Sequence, residues 1–185
     1  EQRYASLSHF ISMQPREMIK VEEEYLPEGF ACKNSKLLYL WLPTPSKNIE
    51  SQSDYIAKTR KLLVDLPAEC PDFEQIYIDV RNNIGGILTT FINSVLPLLL
   101  DLPECYMIGI SKNDEVVAKF FIDKAKWTHN MKIGGDSISP LIPVSESQIF
   151  VGKKISVFCN RYTMSSGEIL CMLFRLLGHK IYGEK

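Results

Sequence analysis

The chain has 185 residues, of which 45% are hydrophobic and 23% charged, and its formal net charge is −1. This length corresponds to about one domain, large enough to bury a core without disulfides or a metal. A nearly neutral chain without a dense Lys/Arg run offers no electrostatic attraction to nucleic acid. We therefore expect a globular domain with no nucleic-acid partner, no metal and no cofactor.

The five cysteines do not form a CxxC pair, and three of them lie in apolar runs. Buried free thiols are the expected state of such residues, rather than a disulfide framework or a metal site. The cysteines are Cys32, Cys70, Cys105, Cys159 and Cys171.

The sequence predicts neither a membrane span nor a signal peptide. The longest apolar run, residues 84–100, is broken by Gly85, Gly86 and Pro97. It also falls short of the ~20 residues that a spanning helix needs, so a buried helix is the better interpretation. The N-terminus has no apolar segment of the kind found in signal peptides.

In the first half of the chain, hydrophobic periodicity and breaking residues predict two strand–helix units. The predicted elements are a turn at 27–29, a strand at 37–42, a loop at 46–53, a helix at 54–66 stopped by Pro67, a strand at 75–80, a turn at 81–86 and an apolar helix after it.

In the second half, the pattern predicts a hairpin and a third strand–helix unit. The predicted elements are strands at 105–111 and 115–123, a long irregular loop at 124–146, a strand at 154–159, a helix at about 165–177 and a further strand starting at 179.

Alternating strands and helices with nearly continuous apolar strands indicate an α/β fold: a mostly parallel sheet flanked by helices, plus a β-hairpin insert. Two units share one plan, IYIDV-RNNIGG-ILTTF and SVFC-NRYTMSSGE-ILCML. The turns of parallel βα units lie at the carboxyl edge of the sheet, where sites form. We therefore expect these two turns to face each other.

The second of these turns has the features of a nucleophile turn. A Ser at a strand-to-helix turn presents its hydroxyl above the sheet, although the G-x-S-x-G pattern is absent. Gly85 and Gly86 in the first turn allow close backbone approach and can supply an oxyanion donor. A purely structural interpretation is also open, because Ser165 and Glu168 have the spacing of a capping box.

Three segments in the same order resemble the S41 peptidases, the C-terminal processing proteases and their tricorn-core-like relatives. Residues 77–86 resemble the D-x-R-x-N-x-G-G segment of that family, and residues 152–168 resemble G-K-x-(strand)-N-x-x-T-x-S-[AS]-[GS]-E. Residues 179–185 resemble the start of G-E-x-T-x-G-K. The resemblance covers roughly residues 37–185 as a catalytic core, whereas residues 1–36 have no assigned role.

The resemblance implies a ClpP/crotonase-like core and a serine endopeptidase that acts on polypeptide. It places the nucleophile at Ser165 and the oxyanion donors at the Ser166 N–H and a Gly85 or Gly86 N–H. Asp79 and Arg81 would form a structural ion pair rather than act directly. Thr163 would brace the turn, and Glu168 would cap the helix or orient a neighbour. A periplasmic or extracellular location and an oligomer are further implications of the family.

The general base is the gap in this resemblance, since a Ser needs one to become a nucleophile. One branch of the family uses the final Lys of G-E-x-T-x-G-K as the base. The given sequence stops at Lys185, before that position, which is the pattern expected of a core truncated at its C-terminus. The other branch uses a His that precedes the core, for which His9 is the candidate. Neither Lys180 nor Lys185 has motif support, and His129 and His179 are expected to be structural.

Three other functions stay open. The chain could be a non-catalytic S41-like module that binds lipid, retinoid or peptide, or a degenerate or incomplete protease fragment. It could also be another enzyme on the crotonase scaffold, such as an acyl-CoA hydrolase, although that chemistry does not need the Ser of T-x-S-S-G-E.

Overall fold

A computed structural model describes residues 25–45, 49–99, 105–112, 115–123, 128–133 and 148–183. Its strands are β1 (Glu28–Cys32), β2 (Leu37–Trp41), β3 (Gln75–Asp79), β4 (Cys105–Lys112), β5 (Glu115–Asp123), β6 (Thr128–Ile133), β7 (Lys154–Phe158) and β8 (Lys180–Tyr182). Its helices are α1 (Ile49–Glu69), α2 (Leu88–Val95) and α3 (Ser166–Leu176), with short 3₁₀ turns at Lys33–Ser35, Leu96–Leu99 and Gln148–Phe150.

The main sheet has five strands in the order β1-β2-β3-β7-β8. The pairings β2–β3, β3–β7 and β7–β8 are parallel, and β1 adds to the outer edge of β2 in the antiparallel direction. Helices α1 and α3 pack on this sheet, and α2 contacts both helices. The predicted α/β fold with a mostly parallel sheet is therefore confirmed.

A second sheet of three antiparallel strands, β4-β5-β6, corresponds to the predicted insert. The β4–β5 hairpin was predicted. Strand β6 was not, because residues 124–146 were interpreted as an irregular loop, and this part of that prediction is wrong. The strand depends on pairing with β5 over Ala118–Asp123, a non-local contact that the local pattern of residues 128–133 does not reveal. The rest of the predicted loop, at 124–127 and 134–146, lies outside the described residues.

The core lies between the main sheet and its helices. Because side chains alternate across a strand, one face of β2, β3 and β7 supplies a row of aliphatic residues to the helices. Burial of each contributes about 1.5–3 kcal/mol. The row comprises Leu38, Leu40, Ile76, Ile78, Ile155 and Val157, all between 0% and 4% exposed.

The opposite face of the same sheet is aromatic. Phe30 stacks on Tyr39 with ring centroids 5.0 Å apart, and Phe158 lies 5.2 Å from Tyr77 and 5.7 Å from Tyr182. Cross-strand aromatic pairs of this kind stabilise a sheet by up to about 1 kcal/mol each.

Two predicted boundaries at the N-terminal side are wrong. Strand β1 occupies residues where a turn at 27–29 was predicted, and its backbone approaches β2 so closely that a Cβ on Gly29 would lie 2.6 Å from the Tyr39 carbonyl oxygen. Helix α1 begins at Ile49, inside the predicted loop, and continues through Pro67 to Glu69. A proline in the last turn removes a single backbone hydrogen bond, and burial of Leu66 at 3% exposure offsets that loss.

The expectation of free thiols is confirmed for the four cysteines whose side chains are described. The expectation that they are buried is confirmed for Cys32 and Cys70, whereas Cys159 and Cys171 are partly exposed. None of the described helices is both long and apolar enough to cross a membrane.

Candidate active site

The carboxyl ends of β3 and β7 are neighbours in the sheet. Asp79 pairs with Phe158, and one residue later the Val80 N–H donates to the Phe158 carbonyl at 2.9 Å. The turns that follow, residues 81–86 and 160–165, therefore leave the same edge side by side. This confirms the prediction that the two similar turns face each other.

Hydrogen bonds join these two turns directly. The Asn82 N–H donates to Asn160 Oδ1 at 3.0 Å, and Asn160 Nδ2 donates back to Asn82 Oδ1 at 2.8 Å. The Met164 N–H donates to the Asn83 carbonyl at 2.9 Å. The positions of the two turns are therefore fixed relative to each other by backbone and amide groups.

Thr163 is anchored between the segments that follow β3 and β7. Its buried hydroxyl donates to the Val80 carbonyl at 2.9 Å and accepts from the Asn160 N–H at 3.1 Å. Side chains of this type often satisfy backbone groups in turns, and here the hydroxyl holds the start of the second turn against the end of β3.

Asn83 has a larger role than the sequence analysis assigned. Its fully buried amide Nδ2 donates to the carbonyls of Leu42 and Pro43 at 2.9 and 3.0 Å, and its Oδ1 accepts from the Gly85 N–H at 2.9 Å. Asn83 is the Asn of the D-x-R-x-N-x-G-G segment, and this match is the sequence feature that could have pointed to its role. The Gly85 N–H is therefore occupied, whereas the Gly86 N–H donates no hydrogen bond within the described residues.

Ser165 is exposed and has a strained backbone, with φ 54° and ψ −120°. A non-glycine residue at positive φ costs roughly 1–3 kcal/mol, and such outliers concentrate at functional sites. Its side chain lies against Gly85, because a Cβ built on that glycine would be 2.6 Å from Ser165 Cβ and 3.2 Å from Ser165 Oγ. A strained Ser at a strand-to-helix turn is the geometry of a nucleophile elbow.

Backbone N–H groups at the N-terminus of α3 directly follow Ser165 in the chain. Ser166 is the first helical residue, so its N–H has no intrahelical partner, and the helix dipole favours negative charge there. The Ser166 hydroxyl is buried without a hydrogen-bond partner among the described residues. Ser165 and Glu168 also form the capping box that the sequence predicted, in which the Ser165 N–H donates to Glu168 Oε2 at 3.1 Å.

Asp79 lies under the first turn as a fully paired carboxylate. Arg81 binds it through Nε at 2.9 Å and Nη2 at 2.5 Å, and the Tyr39 hydroxyl donates to it at 2.5 Å. The hydrogen bond to Asp79 raises the pKa of Arg81, and burial, reinforced by Asp79, raises the pKa of Tyr39 far above its usual range. With Asp79 only 2% exposed, this geometry is that of a structural brace.

The candidate bases are not brought to Ser165 within the described part of the chain. His9, Lys185 and the side chain of His129 lie outside the described residues. His179 packs on Phe174, with centroids 5.9 Å apart. Among the described contacts, Ser165 has no His or Lys partner.

No protein-family model matches the sequence, and no curated protein matches it. Among solved structures, a lipoprotein from Streptococcus agalactiae is similar over 90% of this chain and 53% of its own, at 17% identity and a TM-score of 0.55. A photosystem II D1 C-terminal processing protease is similar over 80% of this chain and 30% of its own, at 19% identity and a TM-score of 0.47. The chain thus spans about half the length of the lipoprotein and less than a third of the protease.

Proposed function

We propose that the protein is a serine endopeptidase with Ser165 as its nucleophile. The observation that carries the proposal is the strained, exposed Ser165 held against Gly85, at the point where the two turns meet. A mere helix cap does not need this conformation, since cap residues ordinarily adopt a β-region backbone without strain.

In the proposed reaction, Ser165 Oγ attacks a peptide carbonyl and forms an acyl-enzyme with loss of the amine, and water then releases the acid. The Ser166 N–H and the Gly86 N–H would stabilise the oxyanion of each tetrahedral intermediate. Loss of one such donor typically costs about 3 kcal/mol of transition-state stabilisation. The hydroxyl proton would pass to a base outside the described residues, of which His9 is one candidate.

The proposed substrate is an extended polypeptide. Strand β8 is the outer strand of the main sheet on the β7 side, and among the described strands it pairs only with β7. Extended peptides commonly pair with the edge of a sheet. A peptide on that edge would be separated from β7, and so from the turn that follows β7, by the width of one strand.

Labelling with a fluorophosphonate probe tests the proposal. The wild-type protein should be labelled, Ser165→Ala should not, and Ser53→Ala, a change on the exposed side of α1, should label like wild type. Hydrolysis of unfolded casein should be lost in Ser165→Ala. If wild type and Ser165→Ala label equally, the proposal is wrong.

A non-catalytic binding module is the second candidate. It is favoured by the capping box, which gives Ser165 a structural role, and by the lack of a His or Lys partner among the described residues. This candidate predicts no probe labelling, together with retinoid or peptide binding that survives Ser165→Ala. Binding measured by fluorescence titration separates the two proposals.

A further inference from the structure

Large apolar side chains are exposed on both sides of the candidate nucleophile. Ile84 in the first turn is 40% exposed, and Ile87, directly after that turn, is 37% exposed. Met164, which directly precedes Ser165 in the second turn, is 45% exposed. Single apolar residues scattered over a surface need no explanation, whereas several grouped together mark a binding surface.

The backbone groups these three residues. The Met164 N–H donates to the Asn83 carbonyl at 2.9 Å, so Met164 lies beside the peptide group that joins Asn83 to Ile84. The two residues between Ile84 and Ile87 are glycines, and a Cβ built on the first of them would lie 3.1 Å from the Met164 carbonyl oxygen. We call Ile84, Ile87 and Met164 the apolar rim, and it lies where the two turns meet.

Most polar side chains of the two turns hold the turns together. Asn83 and Thr163 are buried and bonded to backbone carbonyls, and the amides of Asn82 and Asn160 bond to each other at 2.8 Å. Arg161 is the exposed charged residue of these turns, and its guanidinium lies over a tyrosine ring at 5.0 Å from the ring centre. A cation here would favour an acidic substrate, so an acidic probe belongs to the test.

We propose that the apolar rim contacts the substrate side chain on the acyl side of the scissile bond and selects a large aliphatic residue there, an inference that rests on the proposed function. The acyl-side Cα is bonded to the carbon that Ser165 Oγ attacks, and it stays attached through both steps, whereas the amine leaves after the first. Contact with the rim removes apolar surface from water, while a charged side chain would lose hydration without gaining a partner.

Three peptidyl phosphonates that differ only in the side chain beside phosphorus test this inference on the full chain. The leucine analogue should label Ser165 at least about fivefold faster than the glutamate or lysine analogue, a factor below what one methylene contributes in a closed pocket. A fluorophosphonate without a side chain measures the reactivity of Ser165 itself.

Two lysine variants locate the selectivity. Met164→Lys replaces an apolar contact by a cation, so the rate ratio of the glutamate to the leucine analogue should rise at least about fivefold. Met172→Lys is the matched control, because Met172 is 46% exposed but lies in α3 outside both turns, and it should keep the wild-type ratio. Both rates come from one preparation, so the folded fraction cancels in each ratio.

The outcomes separate this inference from the proposed function. If the fluorophosphonate does not label Ser165, both fail together. If it labels Ser165 but the leucine analogue has a smaller advantage than expected, or a charged analogue reacts fastest, the inference alone is overturned. A smaller rise of the ratio in Met164→Lys, or an equal rise in Met172→Lys, also overturns it.

Discussion

Substitution of Gly85 by alanine tests the contact between the two turns. A Cβ at this position would lie 2.6 Å from Ser165 Cβ, 3.1 Å from the Met164 carbonyl oxygen and 3.2 Å from Ser165 Oγ. Real Cβ atoms do not approach other atoms as closely as 2.6 Å, so one of the turns must move.

Two effects add at Gly85. Its φ of +101° is unfavourable for alanine by roughly 1–2 kcal/mol, and overpacking against Ser165 adds about 1–3 kcal/mol. We therefore expect Gly85→Ala to lower the free energy of unfolding by about 2–5 kcal/mol. Gly152→Ala is the matched control, because its φ of +74° carries a similar strain while no atom of the described residues lies within 4 Å of the new Cβ.

Urea unfolding of both variants separates strain from collision. Gly152→Ala should cost only about 1–2 kcal/mol, and it should keep fluorophosphonate labelling at the wild-type rate. Gly85→Ala should cost more and lose most of its labelling, because Ser165 is displaced. Equal stability of the two variants, with normal labelling of Gly85→Ala, would refute the proposed contact.

Two further predictions concern the supports of the site. Asn83→Ala should lower the free energy of unfolding in urea by roughly 3–5 kcal/mol, because it leaves two carbonyls and the Gly85 N–H without their partner. Asn34→Ala, at an exposed position, should lower it by under about 0.5 kcal/mol. Equal effects of the two variants would contradict the role assigned to Asn83. Tyr39→Phe should cost roughly 1–3 kcal/mol at pH 7 through the lost bond to Asp79, whereas Tyr182→Phe should cost little. Since the pKa of Tyr39 is raised on folding, the unfolded chain releases this proton first, and wild-type stability should fall as pH rises above about 10. Unfolding curves between pH 8 and 11 should show a shallower fall for Tyr39→Phe, and an unchanged slope would count against the buried phenol.

The sequence predicted the parts of the site that local patterns encode. Apolar strands followed by polar turns located the two turns that contain Gly85 and Ser165, and the parallel βα plan placed both turns at one edge of the sheet. The choice of Ser165 within its turn came from the resemblance to the S41 peptidases. The S-x-x-E spacing also predicted the capping contact of Glu168, which the structure contains.

Features that depend on distant partners could not be predicted in this way. Asn83 decides which glycine N–H is occupied, and its buried side chain is held by the carbonyls of Leu42 and Pro43. These two residues follow β2 and lie some 40 residues away in the chain. Strand β1 has a weak local pattern and exists because β2 offers it a backbone edge.

A crystal structure of the protein treated with a peptidyl phosphonate would test most directly whether a hydroxyl and two amide hydrogens converge at the meeting of the two turns. The account predicts phosphorus bonded to Ser165 Oγ, with one phosphonyl oxygen accepting hydrogen bonds from the N–H groups of Ser166 and Gly86. An adduct on a different residue, or a phosphonyl oxygen pointing into solvent away from both amides, would contradict it.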